Sequence, residues 1–136
     1  MKMLNRTAAE VLQLCGESVH AVTDVTGYGL AGHGWEVADR SGVSLVIDTS
    51  LIPTYDGARD LARAGHRTGG DPRNRAYVGS HLVSSVDDAA LALCVDPQTS
   101  GGLLVAVHPT VVSRLVDNGF VVIGAFEDGG PHVQLS

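Results

Sequence analysis

The 136-residue chain reads as an α/β fold, a sandwich in which helices cover a mixed sheet. Three observations predict it. Segments with helical apolar spacing alternate with short runs rich in β-branched residues. Nearly every junction between them carries Gly, Pro, Asn or Asp. No repeat, linker or low-complexity tract interrupts the alternation, so residues 1–136 read as one domain. Five helices and about six short strands are expected, with a strand order that the pattern leaves open.

Composition narrows the function classes. Apolar residues make up 44% of the chain, with 17 glycines and 4% aromatics, which describes an aliphatic globule rather than a disordered chain. The net charge of -6 argues against nucleic acid or an anionic membrane as the main partner. No apolar run approaches the ~20 residues of a membrane span. Residues 1–6 lack the apolar middle of a signal peptide. Cys15 and Cys94 are far apart in apolar helical contexts, so neither a disulfide framework nor a zinc site is expected, and a cytoplasmic location is.

Residues 7–10, TAAE, have the form of a capping box opening a short helix over Val11, Leu12 and Leu14, with Gly16 as its stop. A strand over 21–25 follows, interrupted by one carboxylate, Asp24. It breaks into Thr26-Gly27-Tyr28-Gly29 and restarts as a helix from about Leu30 to Ser41 and Gly42. Strand, glycine turn and helix in that order aim backbone N–H groups at an anion. A lone Asp among hydroxyls there has the chemistry to hold a hard cation such as Mg2+ beside phosphate. Turn conformation by itself also explains Gly and Asp at such a junction. His33 reads as a partly buried, hydrogen-bonded histidine rather than a ligand.

Residues 43–48 form a strand, and 56–65 a helix with charges alternating on its solvent face and Gly65 ending it. Residues 66–75 read as a loop and hold the only locally basic patch. Its arginines and glycine N–H groups suit phosphate, and a solvated surface loop is the competing reading. A turn and short strand are expected over 77–84, then a helix over 85–94 capped by Ser85, with Cys94 a buried thiol. Residues 96–102 make a polar turn feeding a buried strand over 103–107. A helix over 109–118 and a strand over 120–126 come next. The turn at Asp128-Gly129-Gly130 then brings residues 132–135 back as a hairpin strand.

Two motifs, TDVTGYGLAGH at 23–33 and DPQTSGGLL at 96–104, closely resemble the C-terminal half of selenophosphate synthetase (selenide, water dikinase). LNRTAAE at 4–10 and GGDPRN at 69–74 look like further landmarks of that family, in the expected order. Aminoimidazole ribonucleotide synthetase and thiamine-monophosphate kinase share the two-domain fold without combining the two long motifs. The resemblance implies an aminoimidazole ribonucleotide synthetase C-terminal-domain-like fold and a dimeric, two-domain enzyme. Its reaction converts ATP, selenide and water to selenophosphate, AMP and phosphate, with Mg2+ as cofactor. It implies Asp24 as a metal-binding carboxylate, with Thr23, Thr26 and Gly27 shaping its turn and Arg73 beside phosphate. It assigns no catalytic residue to this stretch: Cys15 and Cys94 do not match the family's nucleophile position. The family's glycine-rich loop, nucleophile and most of its Mg2+ aspartates belong to an N-terminal ATP-binding domain, expected to be absent from this chain and supplied as a partner. A possible homodimer is the other expected assembly.

Overall fold

A computed structural model of the chain describes residues 4–136. Residues 1–3, the start of the stretch assessed above as a leader, lie outside the described residues. Helices and strands follow one another as α1 (Arg6–Gln13), β1 (Val19–Asp24), α2 (Gly29–Ser41), β2 (Val43–Ile47), α3 (Ala58–Arg63) and α4 (Asp71–Val78). The second half continues with β3 (Leu82–Ser84), α5 (Asp88–Val95), β4 (Leu103–Val107), α6 (Val112–Asp117), β5 (Gly124–Asp128) and β6 (His132–Leu135). Strands β1 and β4 pair antiparallel as a two-stranded sheet, and the other sheet runs β3-β6-β2-β5. Its three strands β3, β6 and β2 are mutually parallel, with β5 antiparallel at the edge. This mixed, helix-covered arrangement is the α/β class that the alternation predicts.

The core lies where α2 crosses the larger sheet. Leu45 and Ile47 of β2 stand in register with Val133 and Leu135 of β6, and these four are 0–2% exposed. Alternation along each strand aims them at one face. Residue 34 sits close over that face, because a Cβ built on Gly34 would come within 2.7 Å of Leu45 Cδ2. Ala31, Ala38, Val78 and Val95, all fully buried, close the core from the helical side.

The expected final hairpin does not form. β6 crosses the end of β2 and inserts between β2 and β3, a crossing pinned where Ser44 Oγ donates to Gly130 O at 2.9 Å. Burial explains the choice. A central position hides Val133 and Leu135, whereas β5 at the edge keeps most of its residues exposed. The strand expected over 120–126 begins only at Gly124 and runs to Asp128.

Other boundaries shift for local reasons. Helix α1 starts at Arg6, so Thr7 lies inside it and the capping box is not made. Glu10 pairs instead with Arg6 at 3.1 Å. Helix α5 is capped by Asp87, whose carboxylate accepts the Ala90 N–H at 2.7 Å. Ser85 donates to Leu135 O rather than capping. The helix expected over 109–118 is a 3-10 turn at Pro109–Val111 followed by α6. Strand β4 is only half-buried, with Leu104 as its buried side chain. Among the described residues, no helix is long and apolar enough to cross a membrane.

Candidate functional site

Asp24 ends β1 and pairs with Leu103 of β4. Outward and inward residues alternate along β1, which leaves the Asp24 side chain exposed. Val25 then turns inward and is 9% exposed, Thr26 is half-buried, and Gly27 is exposed. The chain enters α2 through Gly29 at φ +72°, where a Cβ would stand 2.7 Å from the carbonyl carbon of Val95. Both the left-handed backbone and the close approach call for glycine there.

The second long motif docks on the first through the backbone. The Val25 N–H donates to Gly102 O at 3.0 Å, and the Gln98 N–H donates to Thr26 O at 2.9 Å. The Cα of Gly101 lies so close to the Val25 carbonyl oxygen that any side chain there would collide with it. Two asparagines from the shorter motifs hold this junction. Asn5 Nδ2 donates to Gly101 O at 3.0 Å. Asn74 Nδ2 donates to Gly27 O at 2.9 Å and to Val95 O at 2.8 Å, while Asn74 itself is 0% exposed. The Pro97 ring lies against Gly70. All four motif stretches therefore meet around the rim that carries Asp24.

The basic patch differs from the loop expected over 66–75. Residues from Asp71 onward form α4, with Pro72 in its first turn where a missing N–H costs nothing. Arg75 pairs with Asp71 at 2.7 Å and with Asp88 at 2.8 Å, and Arg67 also bonds Asp88. Those two arginines hold the Asp88 carboxyl below its ordinary value. Two of the three arginines of the patch are thus paired with acids, Asp71 inside the run and Asp88 on α5. Arg73 is exposed on α4 and makes no ion pair among the described residues.

Behind the Asp24 turn runs a chain of side-chain contacts. His33 Nε2 lies 3.0 Å from Thr26 Oγ1, and Nδ1 lies 2.9 Å from Glu36 Oε2. Tyr77 donates its hydroxyl to Glu36 Oε1 at 2.9 Å. Burial, reinforced by that bond to Glu36, pushes Tyr77 up to about 12. Tyr28 stacks on Tyr77 with centroids 4.1 Å apart. His33 is 9% exposed, as expected of a hydrogen-bonded core histidine. Cys94 is 1% exposed, and burial raises its thiol to about 12, which makes it an inert core group.

Among the described residues there is no cluster of three or more His, Cys, Asp or Glu side chains able to hold a metal. The Asp24 rim offers one exposed carboxylate, whereas the Thr26 hydroxyl two residues on faces His33. Mg2+ takes oxygen ligands, keeps several waters and is held by one or two carboxylates plus substrate phosphates. An all-oxygen partial site of this kind fits it. The Thr23 hydroxyl donates to the Asp24 backbone carbonyl at 3.4 Å.

Sequence reasoning located the Asp24 turn, the 96–102 turn and His33. It missed Asn74 as the clamp between them, and it missed Glu36 and Tyr77. The three-residue spacing of His33 and Glu36 on a helix was the available signal. Nothing local identifies Asn74, because its partners are 47 and 21 residues away.

Residues 1–129 match the family described as AIR synthase related protein, C-terminal domain. The chain is 47% identical over 139 residues to a selenide, water dikinase of Pseudomonas straminea, which covers 96% of this chain and 38% of that protein. It is 45% identical over 116 residues to a selenide, water dikinase of Caldanaerobacter subterraneus subsp. tengcongensis, covering 85% of this chain and 33% of that protein. A third, from Dechloromonas aromatica, is 40% identical over 130 residues, covering 89% of this chain and 37% of that protein. The chain spans between 33% and 38% of the length of these relatives.

Proposed function

Because this chain belongs to the AIR synthase related protein, C-terminal domain family, we propose that it serves as the C-terminal part of a selenophosphate synthetase-type machine. The reaction converts ATP, selenide and water to selenophosphate, AMP and phosphate. An ATP-binding N-terminal domain, in the same protein or as a partner chain, supplies the nucleotide cradle and the selenium-accepting group. This chain contributes Asp24 at the interface, with Gly27 and Arg73 facing phosphate. A bound Mg2+ would neutralise charge that develops on the phosphoryl oxygens. The residues Val25, Gln98, Gly101 and Asn74 keep the Asp24 rim in place so that no reorganisation is needed when nucleotide arrives.

The observation that carries this reading is the meeting of all four motif stretches at the turn that follows one exposed carboxylate. An acidic chain of net charge -6 needs a cation between itself and a polyphosphate. A single carboxylate cannot assemble the whole Mg–ATP site, so the chain alone is expected to be inactive as a dikinase and soluble in the cytoplasm beside its partner domain.

Calorimetric titration of Mg2+ with ADP, into the chain and into Asp24→Ala, tests the assignment. Weak binding that disappears in Asp24→Ala supports a preformed half-site. Equal binding by both proteins removes Asp24 from it. Selenide-dependent AMP formation by the chain alone would contradict the division of labour.

A second reading has its own observation. Val22 is 47% exposed, and Leu14 is 69% exposed. Val22 lines an apolar groove with Leu12, Val19 and Leu103 beside Asp24. That surface suits a non-catalytic module that pairs with a separate ATP-binding chain. Copurification with such a chain, without any effect on its turnover, would favour this second reading over the first.

A further inference from the structure

Away from the Asp24 turn lies a second concave surface, lined by none of the four motif stretches. The 3-10 turn Thr49–Leu51, helix α3 and the beginning of α5 enclose a cleft of about 210 Å3. Two arginines of α3, Arg59 and Arg63, line it. A guanidinium has five N–H donors and no acceptor. Arg59 is half-buried, yet its one hydrogen-bond partner among the described residues is the Thr49 carbonyl, at 2.7 Å. That bond anchors the head and leaves its other donors without a protein acceptor. Arg63 approaches Asp60 alone, at 3.6 Å with both side chains largely exposed, a pair that water screens. Donors taken partly out of water call for an acceptor.

The neighbouring polar groups narrow what that acceptor is. Thr49 Oγ1 donates to Ser136 O, and Ser50 Oγ donates to Asp48 Oδ1, so both hydroxyl protons are used within the chain. Asp87 Oδ1 accepts the Ala90 N–H. The donors left are guanidinium N–H groups, whose planar fork matches a carboxylate. Among the lining residues two cations stand against one acid, Asp87, with Asp48 and Asp60 flanking the cleft. A dianion such as phosphate would meet those acids with a charge that no cation offsets, whereas a monoanion would not. The remaining wall includes Val86, Ala89 and Leu93, which suit a short hydrocarbon body.

We propose that this cleft is a binding site for a small monocarboxylate, held by Arg59 and Arg63 with its hydrocarbon against Val86, Ala89 and Leu93. Arg59, anchored on Thr49, sets the plane of the carboxylate, and Arg63 closes on it from the surface. The site is separate from the Asp24 rim and does not rest on the reading proposed above.

Butyrate titrated into the full chain at constant ionic strength, followed by amide and arginine Nε–H chemical shifts, tests the site. Saturable shifts are expected at Ser50, Arg59, Ala89 and Ala90, and their absence overturns the proposal. Acetate should bind about fourfold more weakly, the worth of one buried CH2; equal affinity overturns the apolar wall. Inorganic phosphate or n-butanol should not saturate the same amides at the same concentrations. Phosphate binding as tightly as butyrate overturns the monoanion, and butanol doing so overturns the carboxylate. Arg59→Gln should weaken butyrate about tenfold. Arg63→Gln, whose exposed pairing makes the fold indifferent to it, should weaken butyrate about threefold. Unchanged affinity in Arg63→Gln overturns the two-arginine clamp, even should Arg59→Gln fail to fold.

Discussion

In the four-stranded sheet, Ile47, Val133 and Leu135 are fully buried, whereas in the two-stranded sheet Leu104 is the buried side chain among the described residues. The first sheet is held by apolar area removed from water. The second is held by backbone docking: Val25 to Gly102, Gln98 to Thr26, and asparagine side chains across the gaps. Hydrophobic burial is tolerant of detail, because many apolar side chains of similar volume fill the same space. Docking through carbonyls and N–H groups is geometric and tolerates little. Stability therefore resides mainly in one sheet and positional accuracy in the other, and the carboxylate at issue sits on the second.

Truncating the larger sheet should have the largest effect. Leu135→Ala or Ile47→Ala is expected to cost about 2–5 kcal/mol in urea denaturation, with ADP binding of the remaining folded protein unchanged. A loss well under that range would break the comparison. Asn74→Ala should cost less, about 1–3 kcal/mol, because the carbonyls of Gly27 and Val95 lose their donor. Its diagnostic sign is faster hydrogen exchange at Val25 and Gln98 while the amides of β2 and β6 stay protected.

Gly101→Ala sharpens the same contrast. The added methyl meets the Val25 carbonyl, and overpacking of this kind costs about 1–3 kcal/mol. Here the site rim should move while the four-stranded sheet holds its chemical shifts. Thiol labelling gives a gentler probe. At pH 8 Cys15 should react in the native state, while Cys94, pushed up to about 12 by burial, should stay silent until unfolding. Early labelling of Cys94 in Gly101→Ala would report opening of the docked half.

The smallest effect concerns acid. Bonds from Arg67 and Arg75 lower the folded-state value of Asp88 beneath its ordinary 3.8. A depressed carboxyl stabilises the fold above its unfolded value, and that contribution disappears as pH falls through the lower, folded value. Asp88→Asn should therefore flatten the stability profile below about pH 4. The change at neutral pH should be slight, since the Asp88 side chain is 65% exposed.

Local chemistry made the helix of residues 29–41 legible, because apolar spacing and Gly42 at its end are short-range signals. The same holds for strand β2 and for the two glycine turns. Helix α4 was not legible. GGDPRN reads as a loop from its glycines and proline, yet Pro72 suits a first helical turn, and Asp71, 7% exposed, gains Arg75 one turn later. The role of Asn74 and the pairing of Arg67 and Arg75 with Asp88 were hidden for the same reason: each partner lies on another element.

The sequence by itself determined the α/β class, the Asp24 turn, the burial of Cys94 and a hydrogen-bonded His33. These follow from periodicity, breakers and side-chain chemistry within about one helical turn. Tertiary structure alone decided that β6 enters the middle of its sheet, that residues 96–102 dock on residues 23–27, and that Glu36 and Tyr77 stand behind His33. A strand of four residues pairs where its apolar side chains are buried best, and a backbone carbonyl is indifferent to which N–H reaches it. Only the packed chain chooses between such equivalent partners, because the choice depends on which elements have already excluded water.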